Sequence, residues 1–238
     1  MRILVDGSAI EAEQKGVGNY TWYMIRQLCG LDVGDVHVLT LNEFATGLLE
    51  GLPVTVHRRT PTSEFVKGYR VIPRLLKQIK ADMLISANEC MSARLEIPRI
   101  AVCHDIDELI YQHQPPKGVF QKLKQKLWNH LRKEGLRRCR ALLCNSNYVR
   151  GEVEKRYGID PDRLVLAYCG VDEVFFDSSG EAANDYILAI ATGEARENAM
   201  LLPGILERIR QEGCPLHLKV VGSAPGGAYA RKMQSLCE

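Results

Sequence analysis

Apolar positions along this chain come in two alternating patterns. One is a set of short dense runs: Arg2-Ile-Leu-Val-Asp6, closed by an acid, then Val36 to Leu41, Pro53 to His57, Met83 to Ala87, Ile100 to Cys103, Ala141 to Cys144 and Leu164 to Ala167. Between them lie longer stretches with helical spacing: from the Gly16 turn to about Gly30, Glu64 to Lys80, Lys122 to Arg140, and Ser146 to Tyr157. Strands that alternate with helices of this length predict a parallel sheet covered on both faces. A small, polar, acidic stretch at 177–185 reads as a linker. Beyond it the pattern restarts with a strand at Tyr186 to Ala191, a helix at Glu197 to Gln211, a strand at Leu216 to Val221 and a helix at Gly227 to Leu236. The expectation is an α/β chain with one complete Rossmann-like domain over 1–176 and the beginning of a second over 186–238. Two strands do not complete a doubly wound sheet, so the second domain is expected to be truncated at its carboxyl end.

Composition adds limits rather than detail. With 46% apolar and 25% charged residues in 238 positions, the chain can bury a sizeable core. It has no apolar run of membrane-spanning length, and Asp6 interrupts the first hydrophobic run, so a cytoplasmic location is expected. The eight cysteines are scattered singly, without a Cys-x-x-Cys pair, and several sit inside apolar runs; they are expected to be reduced and mostly buried.

Charge changes the picture in one place. The net charge is +2, yet Lys122 to Arg140 holds eight basic residues and one acid, a balance of +7 against −5 for the remainder. Leu123, Leu127, Leu131 and Trp128 recur there at helical spacing, giving an amphipathic helix with a cationic face. Three readings stay open: a solvated outer helix, a surface for anionic lipid headgroups, and a nucleic-acid contact, the last without aromatic interleaving to accompany it. Lys122, Lys124, Lys126, Trp128, Arg132 and Lys133 are the candidate membrane-surface residues.

Candidate chemistry sits at the turns. Gly16-Val-Gly18, between the first strand and first helix, is a place where backbone amides and a helix amino terminus can approach a phosphate, or where glycine serves the turn alone. The full Gly-x-Gly-x-x-Gly pattern is absent because Thr21 stands at its third position. His104 and Asp105 follow a strand at its carboxyl end, where open parallel sheets bind ligands. They offer a hydrogen bond to a hydroxylated ligand or acid–base help near neutral pH, or His104 is a satisfied structural residue. In Thr192-Gly-Glu-Ala-Arg-Glu-Asn198, Arg196 at a strand–helix turn could pair with a diphosphate; alternatively Glu194 and Glu197 complement the helix dipole.

Together these residues resemble glycosyltransferase family 4, whose members have the GT-B fold of two Rossmann-like domains across a cleft. Gly16-Val-Gly-Asn-Tyr20 resembles the family's amino-terminal glycine loop, and Val102-Cys-His-Asp-Ile106 its His-Asp strand end. Cys144-Asn-Ser-Asn-Tyr148 through Arg163 to Asp172 is similar to the passage leading into the linker, and Tyr186 to Asn198 to the start of the donor domain.

The resemblance implies a retaining hexosyltransferase that needs no catalytic metal and uses a nucleotide-diphosphate sugar as donor, acting on a glycan or lipid-linked acceptor in polysaccharide or cell-envelope synthesis. By matched position, Gly16 and Gly18 would lie by the donor phosphates, His104, with Asp105 beside it, would contact the transferred sugar, and Arg196 and Asn198 would serve the diphosphate. The implied partners are these substrates; from the residues themselves, the basic helix adds an anionic membrane surface at the inner face and the unfinished domain adds a second copy or another chain to cover it, with no nucleic acid expected. Glu197 departs from the family, which usually carries a phosphate-binding Lys there; an attraction becomes a repulsion. That departure keeps a rival expectation alive, a non-catalytic glycan-binding or scaffold subunit derived from a glycosyltransferase.

Overall fold

The computed structural model describes residues 1–12, 16–87, 95–106, 118–176, 185–191 and 197–222, with Arg231 and Ser235. The chain divides into two compact units, Met1–Gly170 and Val171–Glu238. The linker expected at 177–185 lies almost wholly outside the described residues, as does most of the helix expected at Gly227 to Leu236.

In the first unit seven strands form one sheet in the order β3-β2-β1-β4-β5-β6-β7. They are β1 (Arg2–Asp6), β2 (Asp35–Thr40), β3 (Val54–Arg58), β4 (Met83–Ser86), β5 (Arg99–Cys103), β6 (Ala141–Cys144) and β7 (Leu164–Leu166), and every adjacent pair is parallel. Successive residues of a strand face opposite sides, so β1 divides its apolar residues between two cores. Ile3 and Val5 pack with Val36, Val38 and Ile25 of helix α1 (Gly16–Cys29), and with Ala45 of the short helix α2 (Glu43–Leu48). Leu4 packs on the other face with Leu39, Leu84 and the Ile72, Leu75 and Leu76 stripe of a later helix.

That helix is one run in three parts: α3 (Glu64–Val66), a π-helical turn (Lys67–Val71) and α4 (Ile72–Ile79). The widened turn carries Lys67 inward, and Lys80 ends the run in a left-handed conformation with φ 53°. The third core joins Ala101 and Cys103 of β5 to Leu142 and Cys144 of β6. It is closed by Leu136 of α5 (Val119–Arg137) and by Val149, Val153 and Tyr157 of α6 (Asn147–Tyr157). Ser146 caps α6, its Oγ accepting from the amide of Val149 at 3.2 Å.

One sequence expectation is corrected on α5. Arg132, taken as a surface cation, is 6% exposed, and its Nη2 donates to the Asp105 carbonyl at 3.5 Å. It faces the sheet because it shares a helix face with Gly135 and Leu136, and burial pulls its pKa down. Leu123 and Leu127 of the expected apolar stripe are exposed.

The second unit has a two-stranded parallel sheet of β8 (Tyr186–Ile190) and β9 (His217–Val221), joined through a 3₁₀ turn (Ala199–Leu201) and α7 (Leu202–Gln211). Ala191, Ala199, Met200, Leu202 and Val220 form its small core. Leu188, Ile190 and Val221 are exposed.

Candidate functional site

The strand order reverses between β1 and β4, and in open parallel sheets the crevice at the carboxyl ends near such a reversal holds ligands. The groups at that edge are Asp6 to Ser8 at the end of β1, Ser86 and Ala87 at the end of β4, His104 and Asp105 after β5, Asn145 to Asn147 after β6, and Tyr168 and Cys169 after β7.

His104 is fixed from both neighbouring strands. Its Nε2 lies 2.7 Å from the Ala87 carbonyl, and a carbonyl can only accept, so Nε2 carries the proton. In the neutral ring Nδ1 is then the acceptor. From the other side the Asn145 side chain donates to the His104 carbonyl at 2.8 Å. Tyr20 meets the imidazole edge to face, with centroids 4.8 Å apart and planes at 86°. Two sequence motifs are thereby brought together, since Tyr20 closes the glycine-loop segment and His104 opens the strand end. Burial, with a smaller contribution from Cys169, raises the Tyr20 pKa, so its phenol stays protonated at neutral pH. Asp105 is exposed beside this group, and Asn147 donates to the Tyr168 hydroxyl at 3.2 Å.

The two glycines differ. A Cβ on Gly18 would meet the Ala9 carbonyl at 2.7 Å, so its missing side chain admits the backbone of the β1–α1 loop. A Cβ on Gly16 would meet nothing within 4 Å, and Gly16 is exposed at the start of α1. Of the pair, Gly16 alone leaves open space where a ligand could approach the helix amino terminus.

Under the same loop is a buried ion pair that sequence reading missed. Lys67 Nζ reaches Asp6 Oδ2 at 3.2 Å, Ser8 Oγ at 2.6 Å and Glu64 Oε1 at 2.8 Å, which engages all three ammonium donors. Burial alone pulls the Lys67 pKa down, but the attraction of Asp6 and Glu64 outweighs it and the net shift is upward. The effect is to hold the exit of β1, and Ser8 with it, in one place.

The remaining candidates lie on other elements. Lys122, Lys124 and Lys126 are exposed on α5, while Trp128 and Lys133 are half-buried. Asn198 is exposed in the second unit, with φ 53° at the start of its 3₁₀ turn, next to exposed Glu197. Arg196 lies outside the described residues.

The profile described as Glycosyltransferase Family 4 matches residues 14–175, more than half of the chain. The chain belongs to glycosyltransferase family 4. The matched span holds every first-unit group just described except the β1 exit. No curated protein sequence matches it. Among solved structures, a glycosyltransferase from Rickettsia africae ESF-5 superposes with a TM-score of 0.64 at 13% identity, over 99% of this chain and 64% of that one. S. aureus MnaA in complex with UDP gives 0.53 at 11% identity, over 98% of this chain and 65% of that one. The family 4 chain thus spans just under two thirds of the length of these structures. At such identities the likeness concerns the fold, which is the α/β GT-B type, with a seven-stranded Rossmann-like parallel sheet in the first unit. Within that fold, Tyr20 and Asn145 are the site residues sequence reading passed over, although Asn145 follows β6 just as His104 follows β5.

Proposed function

We propose that this chain carries the acceptor-side half of a retaining hexosyltransferase, which moves a sugar from a nucleotide-diphosphate donor to a glycan or lipid-linked acceptor in polysaccharide or cell-envelope assembly. The observation that supports this best is the His104 ring, held in its Nε2–H form with Nδ1 left to accept a hydrogen bond at the ligand edge. An acceptor nitrogen there can orient a sugar hydroxyl while the acceptor oxygen bonds to the anomeric carbon, its proton passing to the nucleoside diphosphate that departs with the electron pair. On this reading Asp105 lies beside the reacting sugar, Gly16 lines the phosphate approach while Gly18 lets the loop pack beneath it, and Arg196 and Asn198 serve the diphosphate. The donor makes a separate cofactor unnecessary, and the enzyme works at the cytoplasmic face of a membrane. A second copy or partner chain would cover the exposed Leu188, Ile190 and Val221.

A second reading, a non-catalytic glycan-binding or scaffold subunit, is favoured by Glu197, which adds a negative charge where a diphosphate would lie. The experiment is a transfer assay with uridine and guanosine diphosphate sugars and lipid-linked or glycan acceptors, comparing wild type with His104→Ala. Donor-dependent transfer that falls in the variant supports the enzyme. Glycan binding without transfer selects the subunit.

A further inference from the structure

Helix α5 is too long for the layer it covers. At roughly 1.5 Å per residue its 19 residues reach about 28 Å, whereas the five residues of β5 reach about 17 Å. Its carboxyl half is fastened: Arg99 donates to the Gly135 carbonyl, Arg163 donates to those of Arg137 and Cys139, and Leu136 enters the core. Arg132, bonded to the Asp105 carbonyl, marks the level of the sheet's carboxyl edge. The turns before Arg132 therefore overhang the edge that carries His104.

That overhang is apolar where water would favour polar groups. Val119 is 84% exposed, Phe120 81%, Leu123 65% and Leu127 57%. Spaced three, four, seven and eight apart, they form one stripe. Lys122, Lys124 and Lys126 are exposed among them. The first turn holds no acid, and Gly118 supplies no side-chain cap, so the positive end of the helix dipole coincides with lysines. A stripe of large apolar side chains bordered by cations matches a bilayer with anionic headgroups: the former enter the acyl boundary and the latter meet phosphates.

We propose that residues 119–127 form a docking helix for an anionic lipid bilayer, bringing the His104 edge of the sheet to the membrane face. The proposal rests on the lipid-linked acceptor reading above only for its purpose; the surface itself can be tested without acceptor or donor. Arg132 takes no part, because it is committed to the sheet.

The test is sedimentation of the full chain with acceptor-free vesicles of phosphatidylcholine, with or without phosphatidylglycerol. A Trp22→Phe background lets Trp128 report on its surroundings. Expected are binding to anionic vesicles that weakens with salt, and a blue shift of Trp128 emission. Partitioning should fall at least tenfold in Phe120→Asp/Leu123→Asp with unchanged thermal unfolding, and the anionic preference should disappear in Lys122→Glu/Lys124→Glu/Lys126→Glu. Binding to neither vesicle, or equal binding by wild type and both variants, overturns the proposal. So does a lipid-free dimer that Phe120→Asp/Leu123→Asp dissociates, since the stripe would then belong to a second copy. Failure of sugar transfer with intact vesicle binding would count against the enzyme reading alone.

Discussion

The Asn145 side-chain amide donates to the main-chain carbonyl of His104 at 2.8 Å, tying the residue after β6 to the residue after β5. The strands themselves pair up to Cys103 and Cys144, so this bond extends the ladder by one side-chain rung. Asn145→Ala removes the donor and leaves a part-buried carbonyl short of a partner. The expected loss is about 1 kcal/mol of stability. Nitrogen chemical shifts of the His104 ring should also change from a single Nε2–H form to an exchanging mixture. Unchanged shifts would show that the Ala87 carbonyl alone sets the tautomer.

His104→Ala should act on function more than on folding. Its ring is half-buried and contributes a hydrogen bond and an edge contact with Tyr20, so thermal unfolding should move little. On the proposed function, transfer should fall about 10²-fold, at the low end for a group that assists at a reacting centre. A large stability loss with unchanged transfer per folded molecule would make His104 a structural residue.

Much of the fold was legible because period-two and period-3.6 apolar patterns report burial directly. The Arg2–Asp6 and Ala141–Cys144 strands match their expected bounds, and the others differ by one residue at one or both ends. What escaped was non-local or short. Helix α2 spans too few residues for a period to show, and its local signals were Asn42, whose Oδ1 accepts from the Ala45 amide, and Glu43 in the first turn. Lys67 reads as a solvated lysine in a helical pattern; its burial depends on Asp6, far away in sequence. Leu123 and Leu127 have the spacing of packing residues, but spacing does not reveal that the helix outruns its sheet. At the site, position after a strand identified His104, whereas the tautomer depends on Ala87 and the ring contact on Tyr20, which no local pattern reports.

Gly16 and Gly18 should separate cleanly on substitution. Gly18→Ala forces a methyl to 2.7 Å from the Ala9 carbonyl, a backbone atom that cannot swing aside as a flexible side chain would. The expected cost is about 1–3 kcal/mol in denaturant unfolding. Gly16→Ala meets nothing, and reduced freedom of the unfolded chain should leave it neutral or stabilising by up to about 1 kcal/mol. Nucleotide-sugar binding that drops in Gly16→Ala without a stability change would support the phosphate approach proposed there.

Lys67 links the candidate site to pH. Its side chain and that of Asp6 are each 5% exposed, so Lys67→Met leaves Asp6 buried without its cation. Breaking such a pair from one side costs about 3–5 kcal/mol, and a Lys67→Met/Asp6→Asn double variant should recover part of that loss because no charge is then stranded. The folded-state pKa of Lys67 is raised above its ordinary value of 10.5. Its favourable contribution is therefore fully present below pH 10.5 and lost as pH rises through the folded value, where the native state must give up a proton that the unfolded chain has already released. Thermal unfolding of wild type should show no Lys67-dependent slope from neutral pH to about 9 and should fall above 10.5. Tyr20, also shifted upward, contributes a decline of the same sign, so the diagnostic quantity is the difference between wild type and Lys67→Met. That difference should narrow above pH 10.5; if it stays constant through the alkaline range, the ammonium is not what holds Asp6 and Ser8 in place.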